Sequence, residues 1–110
     1  MAVERKSVKL YAVTADKWYN GGIEVKFFEL DAEESEKQYV IGPNNAVYTR
    51  RINKSAMQNG VWQDEWGSKF IGASKQAVIE GFINYQEKKI EEYESKISIA
   101  NDFISKAQEL

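Results

Sequence analysis

Isoleucine recurs at seven-residue intervals at Ile83, Ile90, Ile97 and Ile104, and no other feature restricts the fold of this chain as much. Apolar residues at that spacing keep one narrow stripe of a helix turned toward a neighbouring helix over many turns. The positions three residues further on are Gln86, Tyr93, Ala100 and Ala107, mostly apolar or small, and Ile79 precedes them in the same phase. Phe82 and Phe103 stand immediately before Ile83 and Ile104, and Leu110 falls one repeat after Phe103. The apolar surface is therefore broader than a two-position seam. It suits a helix bundle, or a helix packed on both a sheet and a partner.

Ser74 is a candidate N-cap, and helical pattern runs from Lys75 to the last residue with no Pro or Gly after Gly81. One continuous helix over residues 75–110 would be about 54 Å long, whereas a compact domain of this size has a radius of gyration of about 13 Å. A sheet from the same chain cannot cover such a helix. Either the helix breaks into two, near Ser95 to Ser98, or another chain covers it. Both alternatives predict helix–helix packing, and the seven-residue repeat favours a homo-oligomer. Lys89 and Lys96 beside Glu87 and Glu94 flank the stripe. They read either as charges that set pairing or as a solvated face, where each exposed pair contributes only about 0.2–1 kcal/mol.

The first half has the period of strands. Lys6 to Thr14 alternates, Asn20-Gly21-Gly22 is a turn signal, and Ile23 to Leu30 alternates again. Asp31 to Lys37 reads as a charged connection, Gln38 to Ile41 as a third strand, Gly42-Pro43-Asn44-Asn45 as a turn, and Ala46 to Ile52 as a fourth strand. Turns every ~8–12 residues are the mark of an antiparallel meander. Residues 53–73 hold Gly60, Trp62, Trp66, Gly67, Phe70 and Gly72 and read as a long aromatic loop with one short helical turn near Ser55 to Gln58. The predicted architecture is a single α+β domain. An N-terminal four-stranded antiparallel sheet spans 1–52, the aromatic loop 53–73, and a helical oligomerisation segment 74–110, formed by one long helix or a helix pair.

Composition removes whole classes of chemistry. The chain contains no cysteine and no histidine, which excludes disulfides, thiolate nucleophiles, Ser-His pairs and zinc sites built on those ligands. Its net charge of −2 offers no basic field for nucleic acid, which is disfavoured as a partner. No apolar run approaches the ~18 residues of a membrane span, and the charged N-terminus lacks the apolar stretch of a signal peptide. The expectation is a cytoplasmic protein without metal or cofactor. The carboxylate clusters Asp31, Glu33, Glu34 and Asp64, Glu65 match no calcium-loop spacing and show no sign of separated pKa values, so no catalytic residue is predicted.

The residue types left for binding are aromatic rings and arginines. Arg50 and Arg51 are two of only three arginines, and on a strand they point to opposite faces, Arg50 sharing its side with Tyr48 and Ile52. The planar guanidinium suits a phosphate or carboxylate; the plainer reading gives Arg50 a partner such as Asp64, Glu65 or an acidic residue on another strand. Trp62 and Trp66 offer flat surfaces for stacking, or plug the gap between sheet and helix. Trp18 reads as a lid on the core edge. Phe82 is either core or the floor of a pocket at the sheet–helix junction.

Tyr48-Thr-Arg-Arg-Ile-Asn-Lys54 and the helix segment Gly81-Phe82-Ile83-Asn84, in this layout of sheet, aromatic loop and interlocking helices, resemble the phage-encoded Thoeris anti-defence sponge proteins. The resemblance implies an oligomer that binds a small nucleotide ligand, a cyclic ADP-ribose-type signal, without cleaving it. Such a protein would silence an immune effector in the cytoplasm of an infected bacterium. It also implies a pocket with stacking on adenine and arginines on phosphates, for which Tyr48, Arg50, Arg51, Trp62, Trp66 and Phe82 are the residues of the right type. Few arginines are present for a ligand with two phosphates. The alternative is a protein–protein inhibitor or adaptor that docks on a host enzyme through an edge strand, the aromatic loop or the helix.

Overall fold

The computed structural model describes residues 4–110. A long antiparallel hairpin, β1 (Lys6–Lys17) and β2 (Ile23–Glu34), forms its centre. Leu10 pairs with Leu30, Ala12 with Phe28 and Val8 with Ala32, so the middle of one face of the hairpin is apolar. Both strands outrun the sequence prediction. Asp31 to Glu34, read above as a connection, belong to β2 because Asp31 and Glu33 alternate outward with the buried Leu30 and Ala32. Across the ladder Lys9 Nζ lies 2.6 Å from Asp31, and Arg5 lies 3.4 Å from Glu33.

After β3 (Gln38–Ile41), the chain makes a loop and returns as β4 (Arg51–Asn53), followed by a 3₁₀ turn at Lys54–Ala56. The predicted aromatic loop holds two further strands, β5 (Val61–Gln63) and β6 (Lys69–Gly72). The sheet therefore has six strands rather than four, in the order β4-β3-β2-β1-β6-β5. Strands of three and four residues are too short to display a period, and the interleaved glycines mimic a loop. One of those glycines is required by packing: a Cβ on Gly72 would collide with the Gly60 carbonyl oxygen.

The sheet carries a core on each face. Leu10, Leu30, Ile41, Ile52 and Ile71 fill one, closed by Val47 from the β3–β4 loop. Val13, Val61 and Phe70 form the other, closed by α1 (Lys75–Gln108) through Val78, with Phe82 and Tyr85 partly buried beside it. Ser74 caps the helix as expected, its Oγ accepting from the Ala77 N–H at 3.3 Å.

The helix is continuous, 34 residues and thus about 51 Å long. It does not break at Ser95 to Ser98, where no Gly or Pro interrupts the backbone ladder. Only its first four turns lie on the sheet; Val78 is its one buried residue, and every residue from Ile90 onward is exposed. The consequence is an elongated molecule, 72 Å along its longest axis with a radius of gyration of 19.1 Å.

Two glycine substitutions should have opposite signs in urea denaturation. Gly72→Ala meets backbone and should cost about 1–3 kcal/mol. Gly81→Ala meets Val61 only at ordinary contact distances of 3.5 Å and beyond, and should stabilise the helix by about 0.5–1 kcal/mol.

Candidate functional site

The β3–β4 loop is built around one side chain. Asn45 donates to the carbonyls of Gly42 and Thr49 at 2.9 and 2.8 Å and accepts from the N–H groups of Val47 and Thr49 at 3.1 and 3.2 Å. Four hydrogen bonds to one amide hold Val47 in the core and turn the next residue outward. Tyr48 is 89% exposed and sits at φ +55°, a left-handed backbone that a bulky residue adopts at a cost of about 1–3 kcal/mol. The predicted fourth strand thus starts only at Arg51, and Tyr48 does not share a strand face with Ile52, which is core. Arg50 and Arg51 follow Tyr48 directly after Thr49, and both are exposed. Among the described residues neither makes an ion pair, so the carboxylate partner considered for Arg50 is not Asp64 or Glu65. Tyr48, Arg50 and Arg51 thus lie close in sequence at the β4 edge, one exposed ring and two guanidinium groups without an ion pair among the described residues, the arginines on opposite sides of the strand.

The other three predicted residues lie elsewhere. Trp62, on β5 opposite Ile71, packs against the first core. Phe82 meets Phe70 edge-on across the other face, ring centroids 5.4 Å apart. Trp66 stands 77% exposed at the β5–β6 turn. β4 and β5 are the two outer strands of the sheet, yet Ile52 of β4 belongs to the core that Trp62 of β5 packs against. Phe82 packs against the other core, and the cleft beside Arg50 is lined by none of the other five residues. Trp18, read as a lid, is exposed at the β1–β2 turn together with Tyr19.

The largest cleft, about 780 Å³, opens where α1 passes the β5 edge. Gln58, Asn59 and Gln63 line one wall, Asn84 and Lys88 the other, with Glu80, Glu87 and Glu91 along the helix. None of the six predicted residues lines it. Three carboxylates against one ammonium give it a field that repels phosphate. The spacing of Glu80, Asn84, Lys88 and of Glu87, Glu91 was its only trace in the sequence, and that trace is indistinguishable from a solvated helix face.

The perturbed ionisable groups are structural. Burial pushes the Asp64 carboxyl up, but hydrogen bonds from Ser68 Oγ at 2.6 Å and from the backbone N–H groups of Lys69 and Ser68 outweigh it and hold Asp64 below its ordinary value. The hydrogen bond from Lys54, at 2.7 Å, holds Glu34 low and raises Lys54 in turn. Burial raises the neighbouring Tyr39, whose ring lies 5.1 Å below Lys54 Nζ. The carboxyl groups with displaced values among the described residues, Glu34 and Asp64, are each held low by hydrogen-bond donors. Among the described residues no group of three or more Asp or Glu side chains is placed to hold a metal ion, and no helix is long and apolar enough to cross a membrane. No protein-family model, curated protein or solved structure matches the chain.

Asp64 braces the β5–β6 turn, so Asp64→Asn should cost about 1–2 kcal/mol at neutral pH. A carboxyl held low in the fold contributes stability that is complete above the unfolded value of about 3.9 and is lost as pH falls through the lowered folded value. Denaturation midpoints of wild type and variant should therefore converge on acidification below about pH 4.

Proposed function

We propose that this chain is a non-enzymatic binding protein that works as a homo-oligomer joined through α1. One observation carries the proposal: Ile90, Tyr93, Ile97 and Ile104 follow one another along a helix that projects past its own sheet, each more than half exposed. Covering an isoleucine is worth about 1.5–3 kcal/mol, and a second copy of the same helix offers a matching stripe. The flanking charges select its direction. In a parallel, in-register pair Lys89 faces Glu94 of the second copy, twice by symmetry. Antiparallel pairing sets lysine against lysine and glutamate against glutamate.

The sponge resemblance adds a ligand to this scaffold, a cyclic ADP-ribose-type nucleotide held without cleavage so that a bacterial immune signal is depleted. Support for it comes from the unpaired Arg50 and Arg51 beside the exposed Tyr48. A pocket using Trp66 or Phe82 as well would have to be completed by another subunit, since neither lines the cleft beside Arg50 and Phe82 packs on Phe70 in the second core.

Sedimentation equilibrium should report an oligomer in the micromolar range, and Ile97→Asp, which removes two isoleucines from each symmetric pair, should weaken it by about 10²-fold or more. Titration calorimetry with cyclic ADP-ribose isomers should give heat that Arg50→Ala and Arg51→Ala remove. No heat from any isomer, with the oligomer intact, would eliminate the nucleotide and leave self-association standing.

A further inference from the structure

The two outer strands of the sheet differ in what they leave open. On β5, the Gln58 N–H donates to the Val61 carbonyl at 2.9 Å and the Val61 N–H to the Gln58 carbonyl at 3.0 Å, so the chain closes its own edge there. On β4 the ladder faces inward only. The Ile41 N–H donates to the Arg50 carbonyl at 2.7 Å and the Lys54 N–H to the Lys37 carbonyl at 2.8 Å. The register sets Val40 against Arg51, Tyr39 against Ile52 and Gln38 against Asn53. Alternate residues of an antiparallel strand turn both backbone groups to the same neighbour. Arg50, Ile52 and Lys54 therefore bond to β3, while Arg51 directs its N–H and C=O, and Asn53 its N–H, away from the sheet; the Asn53 carbonyl is taken by the 3₁₀ turn that Asn53 caps.

We propose that this edge receives an extended, acidic segment of a partner protein as an added seventh strand. Two backbone donors, on Arg51 and Asn53, and one acceptor, on Arg51, supply the hydrogen bonds. Arg50 and Arg51 supply the charge selection. They point to opposite sides of the strand, and neither is neutralised among the described residues. An added strand presents alternate side chains to both sides, so glutamate or aspartate on either side meets a guanidinium. A second copy of β4 is the wrong occupant, because antiparallel self-pairing of Arg51 with Asn53 sets Arg50 of each copy opposite Lys54 of the other, two like charges. Tyr48 extends the strip. The Asn45 hydrogen bonds hold its ring in solvent at the start of β4, where an apolar side chain of the incoming segment would rest.

The proposal is independent of α1 pairing and gives the two arginines an occupant other than a nucleotide. Its test is fluorescence anisotropy with a labelled octapeptide of alternating glutamate and valine. Three comparators accompany it: the same peptide with lysine for glutamate, the glutamate peptide N-methylated on the amides that would face β4, and the Arg51→Glu protein. Each change should weaken binding about ten-fold or more. Hydrogen exchange should show the amides of Arg51 and Asn53 exchanging fast in the free protein and slowing when the glutamate peptide is bound. Equal binding of the N-methylated peptide would reduce the effect to diffuse charge attraction and overturn the added strand. So would protection that appears on α1 and not on β4, or no anisotropy change up to millimolar peptide.

Discussion

A sheet shelters only the length of helix that lies above it, and this one constraint governs the molecule. Residues 75–89 of α1 find cover from Val13, Val61 and Phe70, and the remaining turns find none. A projecting helix of that length draws little stability from propensity alone; helices in water are held chiefly by packing of an apolar face. The unpacked turns nevertheless carry the most regular apolar pattern in the chain. Pattern and exposure are reconciled when the missing cover comes from another molecule, and the seven-residue spacing makes an identical helix the simplest complement.

The sheet end is self-sufficient by contrast. Its two cores lie on opposite faces and share β1, whose alternate residues Leu10 and Ala12 serve one and Val13 the other. Charges are kept out of both: Lys9 with Asp31 and Lys54 with Glu34 bridge across strands in exposed or half-exposed positions. One end folds as a sheet with exposed loops and an open edge, and the other leaves an apolar stripe exposed on α1. The Asp64 carboxylate braces the β5–β6 turn.

The parts of the fold legible in the sequence are those whose signal is local. The β1–β2 hairpin announces itself by strict alternation around Asn20-Gly21-Gly22, and Ser74 marks the helix start to the residue. Strand β6 could not be read that way. Four residues long, it is defined by pairing with β1, from Thr14 against Lys69 to Tyr11 against Gly72, between 55 and 61 positions earlier in the chain, a contact with no local trace. The same holds for β4, where Ala46 to Ile52 looks like a strand until the Asn45 side chain gathers the loop and leaves Tyr48 in a left-handed turn. Site residues were chosen by type, and sequence neighbours alone stayed together. Tyr48, Arg50 and Arg51 are near neighbours in sequence and stay at one sheet edge, whereas Trp62 and Phe82 were dispersed by a strand order that no spacing encodes.

The most direct test of the shared helix uses the absence of native cysteine. Ala100→Cys places a thiol in the apolar seam, and Ser98→Cys places one on the outward side of the same turn. In a parallel, in-register pair residue 100 lies opposite itself within disulfide reach and residue 98 does not. Mild oxidation should convert the first variant to a covalent dimer and leave the second mostly uncoupled. If both stay as 12.6 kDa chains, or both couple equally, α1 does not pair along its isoleucines and the account fails.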